Sequence, residues 1–227
     1  MFHKMVTLSS LVLAKALIIL LISTITTTTA TTTVDAMATE IEMLFSACKT
    51  NDADILRVRL ERSKVDINVI GPGGQTPLMF SVLQGFDLSV GVLLEAGADV
   101  TIGEKDGYTP IHGAGFQGRP KIAKMLIDHG VDPLDVHSDG YNAMHRACWG
   151  REKRHAATVK MFIENGVPYN IQTKTGQTCM DQSKNPYTMS ILKEYVFAQE
   201  NVDDISINEE KEQKEAIDEN TVDHSEL

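Results

Sequence analysis

Residues 113–118 read Gly-Ala-Gly-Phe-Gln-Gly, a literal match to G-x-G-x-x-G, and Asp135 follows the second glycine at the expected interval of about twenty residues. Glycines in that order let a backbone approach a pyrophosphate, and the later acid takes a ribose hydroxyl, so the string would hold a dinucleotide. That chemistry needs a buried strand entering the first glycine and a helix leaving the turn. Upstream stands EKDGYTPIH, from Glu104 to His112, with no run of β-branched or alternating apolar residues. The strand is missing. His112 and His145 suggest a second chemistry, as a catalytic or metal-binding pair. Neither has partners at ligand spacing, and the chain contains no H-E-x-x-H and no C-x-x-C. No nucleophile elbow, phosphate loop or paired acids stand elsewhere, so no enzymatic activity, cofactor or metal is expected.

A longer phrase around those glycines recurs. GQTPLMFSVLQGFDLSVGVLLEAGADV begins at Gly74, GYTPIHGAGFQGRPKIAKMLIDHGVDP at Gly107, and GYNAMHRACWGREKRHAATVKMFIENGVPY at Gly140. The leading glycines are 33 residues apart, and the next, Gly176, follows after 36, so one repeat carries three extra residues. Residues 41–68 echo the plan without its opening turn. Each period holds two apolar faces at helical spacing. Leu78, Ile111 and Met144 open the first; Val90, Leu93 and Leu94, or Ile122, Met125 and Leu126, form the second.

A 33-residue period with T-P-x-H near its start resembles the ankyrin repeat family, over residues 40–196. The resemblance implies an all-α solenoid of stacked helix-turn-helix units with short hairpin-like loops. About five repeats are expected, with degenerate caps at residues 40–68 and 176–196. In that plan Thr76 and Thr109 cap the first helices through their hydroxyls, and Pro77 and Pro110 take the first helical position. Gly97, Gly130 and Gly166 end the second helices in a left-handed conformation. The family's T-P-x-H histidine bonds its own turn threonine and the backbone of the next repeat. That is the role implied for His112 and, behind Asn142-Ala143 instead of Thr-Pro, for His145. The Gly113–Gly118 string then lies in and just after a first helix, and the dinucleotide reading falls. Helical glycines cost about 1 kcal/mol each against alanine, so Gly113 and Gly115 are expected to loosen this helix. Cys48, Cys148 and Cys179 are an odd number and describe no closed disulfide framework. Cys148 and Cys179 fall in adjacent repeats at offset helical positions, which disfavours a bridge, so all three are expected to be buried small hydrophobes.

Ankyrin proteins bind other proteins through the concave side of the stack. Their variable contact residues lie one, nine and ten positions after each leading glycine. On this chain those are Gln75, Leu83 and Gln84; Tyr108, Phe116 and Gln117; Tyr141, Trp149 and Gly150. Phe80 and Arg146 stand nearby, Phe80 being as well suited to the core. The expected partner-binding set is therefore Leu83, Tyr108, Phe116, Gln117, Tyr141, Arg146 and Trp149, with Gly113 and Gly115 leaving a shallow floor beside Phe116. The implied function is a non-enzymatic protein-protein interaction module. The alternative is a chaperone-like or assembly factor of the secretory pathway that uses an acidic tail for solubilisation.

That tail runs from Glu200 to Leu227 and carries −9 of the formal net charge of −10. It has no aromatic residue and is expected to be disordered. The remaining body is nearly neutral, which argues against a nucleic-acid partner. Its densest basic cluster, Arg151–His155, sits where the three-residue insertion is expected, as a solvated loop or as a contact for acid on a partner or the tail. At the other end, residues 1–36 carry Lys4 and Lys15, a short apolar run and small residues before Ala36, as in a secretory signal peptide. Ala30 offers an alternative cleavage point, and an organellar transit peptide is the rival reading. The expected organisation is a signal peptide at 1–36, an ankyrin domain at 37–198 and an acidic tail at 199–227. A monomer in the secretory pathway, without a membrane span in the mature chain, is expected. His-Ser-Glu-Leu at 224–227 resembles the K-D-E-L retrieval signals except at Ser225.

Overall fold

The computed structural model describes residues 35–71, 73–199 and 201. The leader up to residue 34, the acidic tail beyond 201 and the terminal His-Ser-Glu-Leu lie outside the described residues. Within them the chain forms ten helices in five consecutive pairs. The first pair is α1 (residues 35–50) and α2 (Ala53–Arg62). Then come α3 (Pro77–Gln84) with α4 (Asp87–Glu95), α5 (Pro110–Gln117) with α6 (Pro120–Asp128), and α7 (Ala143–Cys148) with α8 (Lys153–Glu164). The last pair is α9 (Cys179–Gln182) and α10 (residues 186–199). Among the described residues the only strand-like pairing is an isolated bridge from Val136 to Asn142. The fold is all-α.

Local chemistry explains most of the boundaries. Thr76 accepts from the Met79 N–H at 3.1 Å, Pro77 starts α3, and Gly85 stops it at φ 82°. Asn142 and Thr178 each close a capping box on α7 and α9. Thr109 departs from the expected pattern. Its hydroxyl caps no backbone N–H, because it is engaged with His112 Nδ1 at 2.8 Å. Gly97, Gly130 and Gly166 follow the second helices at φ 83°, 88° and 92°, where a β-carbon would be strained.

No single pair can bury its own apolar face; neighbours do it. The first helices pack as one layer, α3 on α5, α5 on α7 and α7 on α9. The second helices α2, α4, α6 and α8 stack as the other layer. Between them one core runs from Leu44 through Leu78, Ile111 and Met144 to Leu192. Phe80 lies against this core with Phe45 and Phe86 at ring separations of 5.4 and 6.0 Å.

Three expectations are corrected. A β-carbon on Gly115 would stand 2.1 Å from the Ala143 carbonyl oxygen, so this glycine lets α5 press onto the start of the next repeat. It is buried packing, neither a loosening defect nor groove floor. Second, Cys148 and Cys179 form a disulfide, with Cα atoms 5.6 Å apart. The offset that disfavoured this bridge is real in sequence, but neighbouring first helices do not pack position against like position. Position eight after one leading glycine instead faces position three after the next: Cys148 meets Cys179 as Gly115 meets Ala143 one repeat earlier. Cys48 remains a free, buried thiol whose pKa burial pushes up to about 11. Third, the basic cluster is only in part a solvated loop: Arg151 and Glu152 are exposed between α7 and α8, while residues 153–155 begin α8. α8 has 12 residues where α6 has 9, and α7 has 6 where α5 has 8.

Candidate functional site: a groove along the first helices

Four hairpin loops close in the same way. Gly71, Glu104, His137 and Thr173 donate their N–H groups to the carbonyls of Gln75, Tyr108, Tyr141 and Gln177 at 2.9–3.0 Å. The leading glycines between them adopt φ of 76–91°. This geometry sets Tyr108 and Tyr141 at equivalent places at the hairpin bases, facing the first helices.

Between the two tyrosines lies Arg146 of α7, only 7% exposed. Its guanidinium pairs with the Asp139 carboxylate and donates to the Tyr108 hydroxyl at 3.0 Å. It also lies 4.7, 5.1 and 4.6 Å from the rings of Tyr108, Tyr141 and Trp149. Tyr108 donates to Asp139 at 3.1 Å and stacks on His137 at 3.9 Å. His137 Nε2 reaches the Asp106 carbonyl at 2.9 Å. Tyr141 meets Trp149 edge-on at 5.0 Å, and the indole N–H donates to Gln182 Oε1 at 3.2 Å. Burial opposes the charge of Asp139, but hydrogen bonds from His137, the Tyr141 backbone, Arg146 and Tyr108 outweigh it and hold its pKa at about 2.

The expected contact residues divide into two groups. Tyr108, Tyr141, Arg146 and Trp149 form the cluster just described, and in it Arg146 is a buried organiser, engaged by Asp139 and the Tyr108 hydroxyl, instead of a free contact. Leu83, Phe116 and Trp149, each nine places after a leading glycine, form a row along the first helices. Phe116 is 54% and Trp149 40% exposed, and Leu83 is half-buried. Gln117 is half-buried beside Phe116. Beneath Phe116 a pocket of about 250 Å³ opens, with Met79, Leu83 and Gly113 in its lining and Tyr108 and Arg146 beside them. Gly113 thus supplies the floor expected of it. Glu104 and Asp106 also line this pocket.

The sequence reading omits Glu104, Asp106, His137 and Asp139. A signal for two of them existed, because Asp-Gly-Tyr stands at both 106–108 and 139–141. The basic cluster is also largely committed. His155 is buried, its ring filling space that β-carbons on Gly118 and Gly150 would occupy, with Nε2 3.3 Å from the Phe116 carbonyl. Arg154 pairs with Glu152 at 2.8 Å, and Lys153 lies 5.0 Å from the Tyr187 ring. Arg151 stays exposed.

Residues 88–175 match the family profile described as ankyrin repeats (3 copies). Residues 88–175 are ankyrin repeats. No curated protein matches the chain. The same helix-pair plan continues on both sides of the matched ankyrin repeats, in α1–α3 and in α9 with α10. Among the described residues no helix is long and apolar enough to cross a membrane, and no group of three His, Cys, Asp or Glu could hold a metal ion.

The two T-P-x-H-type histidines have structural partners. His112 is held by Thr109, and His145 Nε2 lies 3.1 Å from the Ile171 carbonyl of the following loop. Burial lowers the pKa of His112, His145 and His155 below 6.5. The unfolded chain therefore takes up protons first, and stability is expected to fall as the pH drops below 6.5. A second loss follows between about 4 and 2, where Asp139 is still ionised in the folded protein but protonated in the unfolded chain. Urea midpoints measured from pH 7 to 2 should show both steps, and Asp139→Asn should shrink the lower one, to which Asp87, Asp99 and Asp181 also contribute. An unchanged lower step in that variant would refute the assignment.

Proposed function

We propose that the protein binds a partner protein along the groove of its first helices and hairpins. Ankyrin repeats are typically non-enzymatic interaction modules. The observation that carries the reading here is the row of Leu83, Phe116 and Trp149, which leaves two large aromatics in water at equivalent places in successive repeats. Truncating an aromatic anchor at the centre of an interface costs about 2 kcal/mol, roughly thirtyfold in affinity. Phe116→Ala and Trp149→Ala are each expected to weaken binding by that factor, with far-UV circular dichroism unchanged. The partner would first be isolated on the immobilised full chain and its stoichiometry measured. Undiminished binding by both variants refutes the groove. Broad capture of unfolded clients, lost on removal of residues 200–227, supports the chaperone-like alternative instead. The leader and the Cys148–Cys179 bridge together support work in an oxidising compartment of the secretory pathway. An internally tagged chain found in the cytosol would contradict that.

A further inference from the structure

The geometry points to a partner segment that inserts a lysine or arginine side chain into the pocket beneath Phe116, a reading that rests on the groove being a protein-binding surface. The pocket is amphipathic. Met79, Leu83, Gly113 and the Phe116 ring give it apolar walls, and Glu104 and Asp106 add two carboxylates. Among the described residues neither carboxylate has a cationic partner within salt-bridge distance. Glu104 accepts from the side-chain amide of Gln75, which orients it without cancelling its charge. The positive charge in the lining, Arg146, is matched by Asp139 and covered by the Tyr108 hydroxyl and three rings. His112, the remaining titratable base there, is held toward its neutral form by burial. Lys105 is exposed between the two acids in sequence and lies outside the lining. The pocket therefore carries net negative charge above an apolar floor. A long basic side chain matches that order, its methylenes lying on Leu83 and Met79 and its cation reaching the carboxylates or the face of an aromatic ring. The chain's own acidic tail has the wrong sign for this site.

The test uses the full chain and its Glu104→Gln/Asp106→Asn variant, each as bait for a phage-displayed library of random peptides. Peptides enriched on the native chain are expected to share one lysine or arginine position, and peptides enriched on the variant to lack it. A synthetic peptide of the native consensus should bind the variant about tenfold more weakly, with the gap closing at high salt. It should also lose binding to Phe116→Ala. Enrichment with no basic position, or with an acid there, overturns the assignment and leaves the groove standing. So does a basic preference that the double variant retains. Peptides whose binding ignores Phe116→Ala and Trp149→Ala, or a failure to enrich any, overturn the groove reading and this inference together.

Discussion

Breaking the Cys148–Cys179 bridge is expected to lower the stability of the C-terminal end of the stack by about 3–4 kcal/mol, the loop-closure value for the 31 residues it spans. The end needs that constraint. α9 contributes one fully buried apolar side chain of its own, Cys179, and α10 contributes Leu192. Met180 of α9 packs partly buried against the same core, and polar contacts add to it, including Asn185 Nδ2, which donates to the carbonyls of Gly150 and Glu152 at 2.9 and 3.0 Å. Trp149 reports on the event, because its indole N–H rests on Gln182 of α9. In urea, the Cys148→Ala/Cys179→Ala variant should show an early fluorescence transition that precedes the loss of helix. The native chain with thiol reductant should match it, and without reductant should unfold in one step. Equal midpoints for variant and native protein would show that the bridge contributes nothing.

Gly115→Ala is expected to destabilise the protein by about 3 kcal/mol, at the upper end of the cost of overpacking a core. Helix propensity alone predicts a gain of about 1 kcal/mol, so the sign of the result decides which effect dominates. The new methyl group would meet the Ala143 carbonyl oxygen at 2.1 Å, and backbone cannot move aside without opening the contact between α5 and α7. Gly113 provides the comparison two residues away. Its β-carbon would meet Met79 Cε at 3.0 Å and Leu83 Cδ2 at 3.1 Å, the mobile ends of long side chains. Gly113→Ala should therefore be within about 1 kcal/mol of the native protein, helped by propensity. Thermal unfolding of the two variants side by side is sufficient. Similar midpoints would remove the argument from close approach.

Much of this was legible in the sequence because repetition is a local signal. The 33-residue interval, the Thr-Pro starts and the glycines after each second helix place α3 to α8 without reference to anything distant. What was not legible depends on where repeats touch. Cys148 meets Cys179 because position eight of one repeat faces position three of the next, as Gly115 faces Ala143, and that register between helices is not visible in linear spacing. Arg146 read as a contact residue because it is charged and near the groove. Its burial follows from Asp139 and two tyrosines converging on it, and those residues belong to two different hairpins. His155 read as part of a basic loop. The space it fills exists only because two glycines from neighbouring repeats, Gly118 and Gly150, border it.

Arg146 has a thermodynamic consequence for whatever the groove receives. Tyr108, Tyr141 and Trp149 are each fixed before any encounter, by the guanidinium packed against them and by hydrogen bonds to Asp139 and Gln182. Freezing a free side chain on association costs about 0.5–1.5 kcal/mol, and here that loss of freedom has already occurred during folding. A partner docking on these rings meets a preorganised surface. Affinity at this end of the groove would therefore be governed by how fast the complex falls apart, with little contribution from rearrangement on the way in.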